Sequence, residues 1–171
     1  MFTLSTKLIN SVMDSGWSTV FTTPVMEIRT GTRPSSADDA VVGDLLCTVD
    51  LPDTGYFAAA SGGVKSKAGT WSGTVSAGGT PTWFRIKNSA DTGGASTTLP
   101  RIDGDLGAMG SGADLMLSGM PVVALDTINI DAFAINWVEA IMQVVATGGV
   151  VHEGATALGG TVGLSASGTV V

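Results

Sequence analysis

An all-β domain is the fold class this sequence predicts, and three observations predict it. Twenty-four glycines among 171 residues, with only 13% charged side chains, suit short strands and tight turns better than helices, which draw on Glu, Lys and Leu. Apolar and polar residues alternate over several short stretches, and clusters of Gly, Pro, Asp and Ser punctuate them. The expected architecture is an antiparallel β-sandwich, jelly-roll-like, with a short N-terminal helix and a C-terminal arm. Residues 1–138 form the core with its helix, and residues 139–171 form an extension suited to assembly. A chain of this length buries a core without needing disulfide or metal staples.

The helix is predicted over residues 4–13, where Leu4, Leu8 and Val12 recur at helical spacing with Ile9 and Met13 beside them. Thr3 or Ser5 supplies an N-cap and Gly16 a stop. Trp17, Val20 and Phe21 then cover an edge of the core. The two strands of residues 25–51 organise the rest. Met26, Ile28 and Thr30 alternate with Glu27 and Arg29, the pattern of a strand with one wet face. A turn begins at Thr30-Gly31, and Pro34 with residues 35–39 reads as a loop able to wind into one helical turn. From Gly43 onward, Leu45, Cys47, Val49 and Leu51 face one way and Asp44, Leu46, Thr48 and Asp50 the other, until Pro52-Asp53-Thr54-Gly55 ends the strand.

Residues 56–60 allow a further short strand, broken by Ser61-Gly62-Gly63. Trp71, Gly73 and Val75 alternate with polar neighbours, and residues 77–81 turn the chain into Trp83-Phe84-Arg85-Ile86-Lys87. There Phe84 and Ile86 point to the core, while Trp83, Arg85 and Lys87 are expected outward, as a cation–aromatic surface cluster or a subunit contact. Residues 90–98 are a Gly, Ser and Thr loop, and a short apolar segment covers residues 114–117. In residues 122–138, Ile128 and Ile130 share a parity that Phe133, Ile135 and Trp137 do not. One inserted residue reconciles them, so a β-bulge is predicted near Asp131 or Ala132. Residues 148–171, rich in Gly, Ala, Thr and Val, read as an arm that adds strands to its own sheet or pairs with a neighbouring subunit. Val150, Val151 and His152 join Trp83, Arg85 and Lys87 as candidate subunit contacts.

The formal net charge of −7 is lopsided, because residues 102–171 contain no Lys or Arg at all. Nucleic-acid binding draws on clustered cations, so neither DNA nor RNA is an expected partner. Cys47 is the single cysteine and reads as a small buried hydrophobe, with no disulfide or cysteine metal cage open to it. No apolar run reaches the ~18 residues of a membrane span, and the N-terminal residues lack a leader pattern, so synthesis in the cytoplasm and no membrane association are expected.

Candidate chemistry is thin. His152, the lone histidine, reads as a surface or contact residue; its neighbour Glu153 falls on the opposite face of a strand. No nucleophile elbow is present. Asp38-Asp39 and Asp103-Gly104-Asp105 resemble fragments of cation loops but lack the further oxygen ligands at regular spacing, and read as turns. The glycines form no phosphate-binding fingerprint. Tyr56, Trp71 and Trp83 motivate one alternative of another class, a carbohydrate-binding β-sandwich module. No enzymatic activity, cofactor or metal is expected.

Ile28-Arg29-Thr30-Gly31-Thr32-Arg33-Pro34, followed by Ser36-Ala37-Asp38-Asp39-Ala40 and Gly43-Asp44-Leu45-Leu46, then Trp83-Phe84-Arg85 and a last alternating strand, resembles small virion proteins encoded among the head and tail genes of tailed bacteriophages and prophages. The resemblance spans roughly residues 4–138. It implies a structural protein located in the virion and made in the host cytoplasm, a capsid decoration or minor capsid protein that stabilises the shell, with a tail or head–tail junction component as the alternative. Its implied partners are the major capsid protein or other virion proteins, and further copies of itself, a trimer being expected.

Overall fold

The computed structural model describes residues 3–5, 7–8, 16, 19–59, 64–138 and 141–151. Ten strands are formed: β1 (Thr3–Leu4), β2 (Pro24–Arg29), β3 (Leu45–Asp50), β4 (Val64–Ser66), β5 (Ser72–Thr74), β6 (Trp83–Asn88), β7 (Ile102–Ala108), β8 (Leu115–Leu117), β9 (Thr127–Val138) and β10 (Ile141–Val151). The fold is all-β, as the composition predicts.

All ten strands belong to one mixed, curled sheet, and strand pairing does not divide it into the two sheets expected of a sandwich. The reason is β8, which is parallel both to β7, through Leu106–Leu115, and to β10, through Ala146–Leu115. Eight strands thus bond in a circuit, β7-β6-β2-β3-β5-β9-β10-β8 and back to β7, with β1 added beside β7 and β4 beside β9. Residues 141–151, placed by sequence in the C-terminal extension, pair along β9 as β10. The expected N-terminal helix is not seen as an element of the described residues, although Lys7 and Leu8 have helical backbone and Ser5 Oγ accepts the Leu8 N–H as an N-cap would. Where that helix was expected to begin, Thr3–Leu4 pairs with β7 instead. The remaining positions of that helix lie outside the described residues, as do Trp17 and residues 60–63.

One face of the curled sheet is the apolar core, formed by Met26 and Ile28 of β2, Cys47 and Val49 of β3, Phe84 and Ile86 of β6, Ile102 and Leu106 of β7, and Ile128, Ile130, Phe133 and Ile135 of β9. The predicted bulge is present. Ile130 pairs with Gly148 and Ala132 with Thr147, so Asp131 is the extra residue. It stays exposed while Ile130 and Phe133 on either side of it are both buried. This single insertion lets Phe133 meet Phe57, Trp71 and Phe84, with ring centroids 6.2, 5.3 and 6.1 Å away. Gly104 of β7 leaves room for the cluster, since a Cβ there would lie 2.5 Å from the Phe84 ring. Burial pushes the Cys47 thiol up to about 12, with the Asp50 carboxylate adding to the shift.

A second irregularity was not predicted. Ile28 pairs with Cys47 and Arg29 with Leu45, which leaves Leu46 as an extra residue in β3. Leu46 is buried although its parity is that of the polar side, and its carbonyl accepts the N–H groups of Ser76 and Ala77. Opposite it, the loop of residues 118–126 ends in a turn where Asp126 N–H donates to Val123 O and Asp126 Oδ2 accepts from Val123 N–H. Leu125 in this turn has φ 77°, a left-handed conformation that costs a side chain of its size on the order of 1–2 kcal/mol.

Candidate functional site

The other face of β2, β6 and β7 is the densest polar construction in the described structure. Sequence predicts a wet face here, and the structure corrects that. Trp83 and Arg85 are 0% exposed, Lys87 is 5% exposed, and Glu27 is buried with them. The alternation has the right parity, but it carries no sign of the loops that cover this face. Loop residues 31–44 and 89–101 lie over these side chains, so Trp83, Arg85 and Lys87, expected as subunit contacts, touch their own chain.

Register sets the chemistry. Arg85 stands between Glu27 of β2 and Asp103 of β7, and Trp83 between Arg29 and Asp105. Arg85 grips Asp103 with two parallel bonds, Nε to Oδ1 at 2.7 Å and Nη2 to Oδ2 at 2.6 Å. Glu27 reaches diagonally to Lys87 Nζ at 2.7 Å on one side and Arg29 on the other at 2.9 Å. Asp105 receives Arg33 at 2.7 Å from the loop above. Asp103-Gly104-Asp105, expected as a turn, is therefore strand, with both carboxylates turned to guanidinium groups and the glycine turned to the core.

Arg101 completes the layer, and sequence reasoning gave no sign of it. It precedes β7, is fully buried, and holds Asp91 bidentately at 2.6 and 2.7 Å. Its remaining N–H groups donate to the carbonyls of Ala37, Asp39 and Gly94. Arg85 Nη1 also donates to Asp39 O at 3.0 Å, and Lys87 Nζ donates to Asp91 O. Two buried arginines thus fasten both loops to the sheet through backbone oxygens as well as carboxylates. All four arginines of the sequence are in this layer. The only advance signal was complementary alternation in three strands, Glu27/Arg29, Arg85/Lys87 and Asp103/Asp105, which can be read as a matched set only once β6 is known to lie between β2 and β7.

Electrostatics follow the geometry. Burial alone would push the Asp91 carboxyl up, but Arg101, the Gly93 N–H and Lys87 outweigh it and hold it below the ordinary range. Asp105 is likewise held low, burial being outweighed chiefly by Arg33. Burial pushes Asp103 up, against the pull of Arg85. The layer consists of acceptors matched to fixed donors, an arrangement that clamps loops rather than one that moves protons.

Local sequence shapes the loop that is clamped. Gly31 and Gly43 have φ 84° and 74°, and a Cβ on Gly43 would sit 1.8 Å from Thr30 O, so the loop leaves and rejoins the sheet at a point only glycine permits. Trp83 Nε1 donates to Thr30 O at 3.0 Å, Thr82 Oγ1 donates to Gly31 O, and Arg29 Nη1 donates to Gly43 O at 3.1 Å. Residues 35–39 form a turn rather than a helical turn, tied by Asp39 Oδ2, which accepts from Ser35 Oγ and Ser36 N–H. Arg85 stacks over Trp83 at 5.6 Å, so the expected cation–aromatic pair exists, but beneath this loop.

The remaining candidates separate. Tyr56 and Trp71 are buried in the core, Tyr56 Oη accepting the Phe21 N–H and Trp71 Nε1 donating to Ala68 O, so with Trp83 they present no stacking platform to a sugar. Val150 and Val151 pair with Ile128 and Thr127 through the backbone of β10. His152 lies outside the described residues. Among the described residues, no group of three or more His, Cys, Asp or Glu is placed to hold a metal ion, and no helix is long and apolar enough to cross a membrane. No family model, curated protein or solved structure matches the chain.

Proposed function

We propose that this protein is a structural component of a tailed-phage virion, a capsid decoration or minor capsid protein that stabilises the shell through contacts with the major capsid protein and with further copies of itself. The observation that carries the reading is that the motifs behind the virion-protein resemblance converge. Residues 28–34, residues 43–46 and Trp83-Phe84-Arg85 lie far apart in sequence, yet they bond to one another through Thr30 O, Gly43 O and the Arg85 layer. Motifs that build one unit support a shared scaffold better than scattered matches would.

On this reading the ionic layer makes a rigid platform of loops that strand pairing alone would leave loose, and rigid loops suit repeated contacts on a shell. A trimer remains the oligomer we propose. The test is quantitative mass spectrometry of purified particles, with labelled chain located by electron microscopy. Many copies per particle, spread over the head, are expected. Label confined to the tail would replace the decoration role by a tail or head–tail junction role, and absence from particles would refute the reading altogether.

A further inference from the structure

β1 lies outside the eight-strand circuit, and only Thr3 and Leu4 pair with the edge of β7, opposite Asp103 and Ile102. What holds this segment is concentrated in the next residue. Ser5 is fully buried, and its Oγ donates to Leu99 O at 2.8 Å while accepting the N–H groups of Arg101 at 3.1 Å and of Leu8 at 3.2 Å. One hydroxyl thus uses its donor and both acceptor positions. Ser5 N–H donates in turn to Arg101 O at 3.3 Å, and Leu8, fully buried, anchors the segment in the apolar core.

These bonds reach the footings of both clamped loops. Arg101, whose backbone Ser5 grips from both sides, is the residue whose side chain holds Asp91 and the carbonyls of Ala37, Asp39 and Gly94. Arg33, which binds Asp105 from the other loop, donates from Nη1 to Thr3 Oγ1 at 3.2 Å.

We propose that the segment carrying Thr3, Leu4, Ser5 and Leu8 is a releasable strap, and that its docking locks the platform formed by residues 31–44 and 89–101. Ordering a terminal stretch costs conformational entropy, against which this one sets a two-residue ladder, a handful of hydrogen bonds and a single apolar anchor. Docking is therefore close to balance. Release leaves the circuit closed, because none of its eight strands pairs through β1. It frees the edge of β7 at Ile102 and Asp103 together with the backbone of Leu99 and Arg101, and so loosens the loop that Arg101 fastens. The vacated slot accepts an extended segment of the same chemistry, a hydroxyl residue followed three positions later by an apolar one. The proposal is independent of the virion reading.

The test uses the full-length chain and its double variant Ser5→Ala/Leu8→Asp, which strips the strap of its hydroxyl and its anchor. Amides of residues 93–103 should exchange with deuterium at least about tenfold faster in the variant than in the wild type, read by mass spectrometry. Amides of β2, which is paired on both sides, should keep their protection, and thermal unfolding should stay cooperative. Ser5→Ala alone should show the same change to a smaller extent. A fluorescent peptide with the sequence of residues 1–10, added at millimolar concentration, should bind the double variant and slow its exchange again, and should not bind the wild type, whose own strap fills the slot. The same peptide carrying Ser5→Ala should not bind either chain. Unchanged exchange over residues 93–103 in both variants would overturn the proposal, as would loss of cooperative unfolding in either, because the segment would then be core. A peptide that neither binds the double variant nor restores its protection would overturn it too, since docking would not be a separable event.

Discussion

β6 is buried on both sides, and its two faces are held by different physics. Phe84 and Ile86 enter a core where area removed from water sets the energy and any apolar shape of similar volume would serve. Trp83, Arg85 and Lys87 enter a layer where each charge is tolerated only because a named partner meets it. On the apolar side the cost of a change scales with the volume removed. On the ionic side it depends on whether a partner is left behind. The two faces should therefore fail in different ways when altered.

The largest effect is expected on the apolar side, from Phe133→Ala. The side chain is fully buried among three other rings, so its loss should cost about 3–5 kcal/mol in chemical denaturation, leaving a cavity that Phe57 and Trp71 fill only in part. A loss below about 1 kcal/mol would mean that the cluster collapses around the gap.

A smaller and pH-specific effect distinguishes the ionic side. Asp91 and Asp105 titrate below the ordinary carboxylate range in the folded state, so the stability they contribute is present above about pH 4 and is lost as pH falls through their folded values. Asp103, pushed up by burial, has the opposite sign: its ionisation costs stability as pH rises through its folded value, a cost that Arg85 limits. Urea midpoints measured from about pH 7 to pH 2 should fall at the acid end, and Asp91→Asn should flatten that fall while lowering the neutral-pH plateau. An unchanged acid slope in Asp91→Asn would remove Asp91 from the account.

How much of this was legible in the sequence follows the same division. Alternation gave the apolar face of β2, β6 and β9 correctly, down to the extra residue at Asp131, because burial imposes a period of two that any insertion visibly breaks. The ionic face obeys the same period but uses residues that water also accepts. Glu27, Arg85 and Asp103 look identical to a solvated stripe until β6 is known to lie between β2 and β7 and two loops are known to cover them. Arg101 sits in an irregular segment with no period to read, and its role depends on Asp91 ten residues earlier and on backbone oxygens that no side chain announces. Closure of the sheet was hidden for a related reason. It rests on three residues of β8, too short a run to signal which strands it bridges.

The measurement that bears most directly on the ionic layer as an internally matched clamp is a double-mutant cycle on Arg85 and Asp103, with stability read by urea denaturation at pH 7. Arg85→Met alone leaves a buried carboxylate without its guanidinium and should cost about 3–5 kcal/mol, and Asp103→Leu alone should cost a similar amount. Together, the two substitutions should recover most of that loss, because neither charge is then left unmatched. Losses that simply add in the double variant would contradict the account, showing that Arg85 and Asp103 contribute separately and that the layer is not a matched set.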